Sequence, residues 1–239
     1  MLKTLAMVPT YNEKDNIQDL INDILDLDES IGVVVVDDDS PDGTSDIVES
    51  MRQNEPRIHL ITRKDEKGRG TAGIKGLLYA VEQGVEYIVE MDADYSHHPK
   101  YIPDLIEAMK EFDVSLGSRA IEGGKETGRN FVRIGITQFA GWFIRMLMGV
   151  DVKDCTSGFR CFKAEVLKSI GLEKMVSIGP SIVEEILYAC HLGGFKIKEI
   201  PIVFEDRTRG ESTKTLGQYI ETMARIAQFR LTMKKPKKR

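Results

Sequence analysis

The sequence predicts an α/β protein built on a mainly parallel, Rossmann-like sheet. Three observations predict it. Through residues 1–120, short apolar runs alternate with segments whose apolar residues recur at helical spacing. The run 31–36 is apolar throughout and rich in valine, as a strand covered on both faces has to be. Polar clusters follow the apolar runs, and in such sheets ligands bind beyond the carboxyl ends of the strands.

Residues 5–8 form an apolar run that ends at Pro9. Asn12 is placed to cap a helix starting near Glu13, with Ile17, Leu20, Ile21 and Ile24 on one face. The strand 31–36 ends in Asp37, Asp38 and Asp39, and the turn-rich Ser40-Pro41-Asp42-Gly43-Thr44 follows. Residues 44–51 read as a helix and 57–62 as a strand. Residues 63–73 form a charged, glycine-rich loop that opens a helix over 74–82. Residues 87–91 are a strand ending at Asp92, 103–111 are helical, and 113–117 are the next strand. The second half is less regular. Residues 131–148 read as an apolar helix with a cationic edge, 157–160 as a loop, 181–192 as a helix, and 197–204 as one alternating strand. A polar loop over 206–214 leads into an amphipathic helix over 218–233 and a basic tail.

The 239 residues are 41% hydrophobic and 30% charged, which suits a globule with a real core and argues against global disorder. The net charge of −5 speaks against a general nucleic-acid binder. Residues 234–239 carry five positive charges, a basic tag on an acidic body that suits an anionic lipid surface. Three cysteines (Cys155, Cys161, Cys190) without a CxxC spacing exclude a disulfide framework, give no zinc signal and favour a reduced, cytoplasmic setting. The first apolar run is too short for a signal peptide. In the stretch 131–150, Arg133 and Arg145 leave only 11 uncharged residues between them, whereas a membrane span needs roughly 18. Trp142 and Phe143 with flanking arginines suit a helix lying in a membrane interface, and a buried core helix fits equally well. The last helix adds Ile220, Met223, Ile226, Ala227 and Leu231 with Arg225 and Arg230.

Three clusters carry chemistry. Val89-Glu90-Met91-Asp92-Ala93-Asp94 delivers two carboxylates from a strand end, where both can reach one divalent cation; an isolated pair of this kind is equally at home in an Asp-rich turn. Pro9-Thr10-Tyr11-Asn12-Glu13 puts a ring and a carboxylate where a nucleobase could be sandwiched, or simply begins a helix. Asp38 can accept a hydrogen bond from a base N–H, while its acidic neighbours fix the loop. Three adjacent carboxylates repel, so backbone N–H groups or a cation must offset them. His97 and His98 are adjacent, so their side chains diverge, which favours a loop-fixing role over metal ligation.

Taken together, PTYNE, DDDSPDGT and MDADYSHHP, each after a strand, resemble the inverting glycosyltransferases of the A-type nucleotide-diphosphosugar fold. The closer resemblance is to the dolichol-phosphate (polyprenol-phosphate) mannose synthases. Further matching stretches are Lys67-Gly68-Arg69-Gly70-Thr71-Ala72, Gly117-Ser118-Arg119, Thr156-Ser157-Gly158-Phe159-Arg160, and Asp206-Arg207 followed by Gly210-Glu211-Ser212. The resemblance implies a catalytic domain over 1–214, followed by the amphipathic helix and basic tail over 215–239. It implies that Pro9, Tyr11, Glu13, Val36 and Asp38 hold the nucleoside, and that Asp92, Ala93 and Asp94 contact the diphosphate. Asp92 and Asp94 would meet Mg²⁺ or Mn²⁺, with Ser96 as a third candidate. Arg119, Arg207 and Lys214 would bind phosphates, and Asp94 and Arg119 would be the catalytic pair. Three positions depart from the family pattern: Asp39 stands where Gly or Asn is frequent, Ser96 where some members have Gln, and Thr213 lengthens the GES–Lys element by one residue.

The implied reaction moves mannose from GDP-mannose to a dolichyl or polyprenyl phosphate, with inversion and release of GDP, on the cytoplasmic face of a membrane. An anionic phosphate acceptor needs no strong general base, but two phosphate-bearing substrates in one site need cations. Arg129, Arg133 and Arg160 are further candidates for that cradle, with surface solvation as the alternative for each. The same chemistry with UDP-glucose, or an inactive nucleotide-sugar-binding subunit, would read similarly. No glycine-rich pyrophosphorylase loop with paired Arg and Lys precedes the second strand, which disfavours a nucleotidyltransferase.

Overall fold

The computed structural model describes residues 2–127, 131–205 and 216–233, except for the side chains of 131–138, 140 and 216–222. The first half alternates as expected: β1 (Thr4–Thr10), α1 (Ile17–Leu25), β2 (Ile31–Asp37), α2 (Thr44–Arg52), β3 (Ile58–Thr62), α3 (Arg69–Glu82) and β4 (Tyr87–Glu90). There follow α4 (Ile102–Glu107), flanked by 3-10 turns, then β5 (Val114–Ser118), β6 (Lys125–Thr127) and α5 (Phe131–Met148). The chain continues with β7 (Arg160–Lys163), α6 (Ala164–Ile170), α7 (Ile182–Gly193), β8 (Ile197–Pro201), β9 (Val203–Glu205) and α8 (Leu216–Thr232).

The main sheet runs β3-β2-β1-β4-β7-β5-β8, and only β7 is antiparallel to its neighbours. Strand order turns back at β1, with β2 and β3 on one side and β4 on the other. This creates the switch point at which α/β sheets open a crevice. Because β7 runs the other way, its amino end meets the carboxyl ends of β4 and β5. Loops entering β7 therefore reach the same rim as loops leaving the parallel strands.

Alternate residues of each buried strand supply the two faces. Leu5, Met7, Val34, Val36 and Ile88 pack with Leu77 of α3 and Ile186 of α7, while Ala6, Val8, Val33, Val35 and Val89 pack with Ile21 of α1 and Leu105 of α4. A third cluster joins Leu116, Ile144, Met148, Tyr188, Ile226 and Phe229, and so seats α5 and α8 against α7 and β5.

Several boundaries differ from the sequence reading. Asn12 does not cap α1: it is left-handed (φ 59°), and the helix starts at Ile17 after a turn onto the Glu13 carbonyl. Helix α3 begins five residues early, because its glycines are packing positions rather than loop. A Cβ on Gly76 would lie 2.5 Å from Met7 Cγ and 2.8 Å from Val36 Cγ2, so the bare backbone is what lets α3 sit close to the sheet. The single strand expected over 197–204 breaks in two: β8 completes the main sheet, β9 pairs with β6, and buried Ile202 lies between them. Strands β6 and β7 and helix α6 carry no periodicity long enough to announce themselves.

Gly76→Ala is expected to destabilise the fold by about 1–3 kcal/mol through overpacking, despite alanine's higher helix propensity. A lower urea midpoint with an unchanged m-value would bear this out.

Candidate active site

The carboxyl ends of β2, β1 and β4 lie side by side, with Thr10 opposite Asp37 and Glu90 opposite Met7. The three acidic loops therefore open on one rim. Two consecutive residues at the start of α3 bind them together: the Gly68 N–H donates to Asp38 Oδ2 at 2.7 Å, and Arg69 Nη2 donates to Asp92 Oδ1 at 3.0 Å.

In the β2 loop each carboxylate has its own compensation. Buried Asp37 accepts from Thr10 Oγ1 (2.7 Å), Ser40 N (2.8 Å), Ser40 Oγ (2.6 Å) and Ser45 Oγ (2.7 Å), so it fixes the loop. Asp38 accepts from Arg63 Nε (2.7 Å), and Arg63 in turn holds Thr71 Oγ1 and the Gly68 carbonyl. Asp42 accepts from the N–H groups of Lys14 and Thr44 and from Thr44 Oγ1. Burial pushes its carboxyl up, but these hydrogen bonds outweigh that and keep it below the ordinary carboxylate value. Asp39 is exposed and left-handed (φ 53°), which accounts for Gly or Asn being at home there.

Tyr11 presents a half-exposed ring with Lys67 Nζ 5.1 Å above its centroid. Glu13 accepts from Asn16 Nδ2 at 2.9 Å. Pro9 is half-buried at the end of β1. Val36 faces the core, so it offers the rim only main chain, and Ala93 is likewise buried.

After β4, Ser96 donates from Oγ (2.5 Å) and N (3.1 Å) to Asp94 Oδ1 and thereby orients that carboxylate. The Asp92 N–H donates to His97 Nδ1 at 3.1 Å. His97 is buried, stacked on Phe159 with centroids 5.2 Å apart, and burial holds its imidazole below the ordinary value against the pull of Asp92 and Asp94. His98 Nδ1 accepts from Lys100 N and caps a 3-10 turn. Both histidines thus shape the loop. Arg69 also reaches down to Glu90 Oε1 at 3.0 Å, while Glu90 itself is fully buried.

The second half adds a cationic side. Arg119, just after β5, grips Asp154 with Nε (2.8 Å) and Nη2 (2.7 Å), reaches Thr156 Oγ1 (2.9 Å) and lies 4.9 Å over the Phe204 ring. Sequence reasoning missed Asp154, because it precedes an antiparallel strand and lies outside every strand-end cluster. Arg160 was a candidate for the phosphate cradle; the structure buries it completely, bound to the carbonyls of Ser157, Val183 and Cys155. It ties the 155–160 loop to α7. Arg129, Arg207, Lys214 and the GES element lie outside the described residues, as does the Arg133 side chain.

Asp92 and Asp94 are hard oxygen donors. Among the described residues no group of three or more His, Cys, Asp or Glu forms a protein-only metal cage. Two carboxylates completed by substrate phosphates are an ordinary way to hold Mg²⁺, so the residues present fit a cation that arrives with a nucleotide.

Fold and rim together define a nucleotide-diphosphosugar transferase of the glycosyltransferase A type. The family model for glycosyl transferase family 2 matches residues 6–171, and the chain belongs to that family. It is 33% identical over 230 residues to an undecaprenyl-phosphate mannosyltransferase of Micrococcus luteus, covering 96% of this chain and 95% of the relative. It is 31% identical over 229 residues to a polyprenol monophosphomannose synthase of Mycolicibacterium smegmatis, covering 95% and 86%. Among solved structures, a mannosyltransferase from Pyrobaculum calidifontis in complex with GDP-Man and Mn²⁺ superposes with a TM-score of 0.63 at 16% identity, covering 98% of this chain and 66% of that one.

The Arg119–Asp154 pair has a measurable signature. Burial alone would raise the Asp154 carboxyl, but the hydrogen bonds and charge of Arg119 outweigh it and hold it below the ordinary value of 3.8. The pair's contribution is therefore whole above about pH 4 and fades as the pH falls through the lower native value. Asp154→Asn is expected to cost about 3 kcal/mol at pH 7. Its deficit against the wild type, read by urea unfolding, should shrink at pH 3.

Proposed function

We propose that this chain transfers mannose from GDP-mannose to a polyprenyl or dolichyl phosphate with inversion, releasing GDP. The observation that carries the reading is the convergence of Asp38, Asp92 and Asp94 on one rim with Arg119 beside them. The relatives that act on polyprenyl phosphates, each matched over most of its length, support the acceptor class. The GDP-Man complex of the structural neighbour supports the donor.

In this reading the exposed Tyr11 ring stacks on the base, Asp38 accepts from its N–H edge, and Pro9, Glu13 and the Val36 main chain enclose the nucleoside. Ala93 lets the diphosphate approach between Asp92 and Asp94. Mg²⁺ or Mn²⁺ on these two carboxylates would stabilise the charge that grows on the leaving diphosphate. Ser96 holds Asp94 in place, and its hydroxyl oxygen would be a third candidate ligand for the same ion. An acceptor phosphate oxygen attacks the anomeric carbon from the side opposite the leaving group, and the bond to GDP breaks. Arg119 steadies the phosphates, joined by Arg207 and Lys214 from the sequence reading. Asp94 and Arg119 are the groups on which the rate depends most.

The acceptor's long hydrocarbon chain brings the enzyme to a membrane. No described helix is long and apolar enough to cross one. Helix α5 divides its apolar residues: Ile144 and Met148 are buried against Ile226 and Phe229, while Phe139, Trp142 and Met146 are 67%, 55% and 53% exposed. Thus Ile226, one of the residues of the expected amphipathic stripe, belongs to the core. The outward aromatic face, with Leu231 and Arg230 on α8, lies on the bilayer in this reading, and the basic residues 234–239 add attraction to anionic headgroups. Residues 1–214 form the catalytic domain, followed over 215–239 by the amphipathic helix and basic tail, and the bilayer met is the cytoplasmic leaflet.

Radiolabelled GDP-mannose, a short polyprenyl phosphate and Mg²⁺ or Mn²⁺ should yield a lipid-linked mannose, and Asp94→Asn should slow this at least about a hundredfold. Preferential turnover of UDP-glucose would change the donor. Nucleotide binding without turnover of any donor would leave a binding subunit instead. Phe139→Ser combined with Trp142→Ser should weaken sedimentation with anionic vesicles about tenfold.

A further inference from the structure

Arg69 is the first residue of α3, the end at which a helix already carries partial positive charge, and the first turn holds no acidic residue to balance it. Its guanidinium is also mostly withdrawn from water, with its side chain 22% exposed. A cation there is unfavourable on both counts. It is held by a fork of two bonds, to Glu90 Oε1 and to Asp92 Oδ1, each 3.0 Å long. The lower half of the fork is itself costly. Glu90 is fully buried in β4, and its Oε2 has no hydrogen-bond partner among the described residues. A buried ion pair with an unsatisfied oxygen is a poor device for stability, and apolar residues of similar size would usually serve better. The carboxylate at the other end of the fork is one of the two that face the diphosphate position.

We infer that Arg69 is a positioning residue: anchored from below by Glu90, it sets the orientation of Asp92 for the metal–nucleotide ligand. The inference rests on the reading of Asp92 and Asp94 given above. Three features agree with it. Gly68, in a backbone conformation (φ 135°) that side chains rarely adopt, delivers Arg69 to this spot. A Cβ on Gly158 would lie 2.8 Å from Arg69 Nη2, so the second half of the molecule leaves room for the guanidinium. Arg69, like Arg63 beside Asp38, gives the acidic rim a fixed positive charge of its own, which lowers the repulsion between Asp92 and Asp94 before any cation arrives.

A structural ion pair and a positioning device are separated by Arg69→Met combined with Glu90→Met. This variant replaces the buried pair with thioethers of similar volume; because Glu90 also lies opposite the buried Arg160, urea unfolding should show a lower midpoint than the wild type with the cooperative transition retained. Free Mn²⁺, followed by electron paramagnetic resonance as the ion is titrated into protein with GDP present, should nevertheless show about tenfold weaker uptake or worse. Uptake equal to wild type would overturn the inference. Should the double variant fail to fold, Arg69→Gln takes its place, with the same expected and overturning results, while Arg69→Lys should recover part of the affinity. If the wild-type protein takes up no Mn²⁺ with GDP, the metal–nucleotide reading fails first, and this inference with it.

Discussion

Mutual repulsion among carboxylates is the constraint around which this molecule is arranged. Parallel crossings bring Asp37, Asp38, Asp92 and Asp94 to neighbouring strand ends, and without compensation the rim would not hold its shape. The compensation is local and specific. Hydroxyls and an N–H surround Asp37, Arg63 and the Gly68 N–H take Asp38, Ser96 takes Asp94, and Arg69 takes Asp92. The close seating of α3, made possible by Gly76 against Met7 and Val36, is what carries Gly68 and Arg69 to the point where they can act.

Much of this was legible in the sequence. Buried parallel strands are apolar without interruption, so β1, β2 and β4 announced themselves, and with them the placement of Tyr11, Asp38 and Asp92 on one edge. Less legible was whatever depends on chain reversal. β7 has only four residues and runs antiparallel, so Asp154 gave no strand-end signal although it fixes Arg119. Arg160 looked like a surface or phosphate-binding cation. Only the register, which sets it opposite Glu90 inside the sheet, shows it to be buried. The glycines of α3 suggested a loop because composition cannot distinguish a turn from a helix face pressed against a neighbour.

The apolar helix over 131–148 was open to two readings, a core helix and an interfacial one, and the core reading holds for one face. The face bearing Ile144 and Met148 completes a core with α7 and α8, and the face bearing Phe139 and Trp142 remains outward, the two rings 5.9 Å apart. Tyr188 of α7, from the same helix whose Val183 carbonyl receives Arg160, lies in that inner cluster.

Asn12, Asp39 and Tyr95 are the non-glycine residues with left-handed backbones among those described, and each of the three acidic loops contains one of them. Such conformations cost on the order of 1 kcal/mol apiece. The loops are nonetheless fastened: the Asn12 N–H to Ser40 Oγ, and the Tyr95 hydroxyl to Asp23. In these three loops the ordering that a ligand would otherwise have to impose is thus largely complete when the chain has folded, so an incoming nucleotide meets three segments with little freedom left to lose.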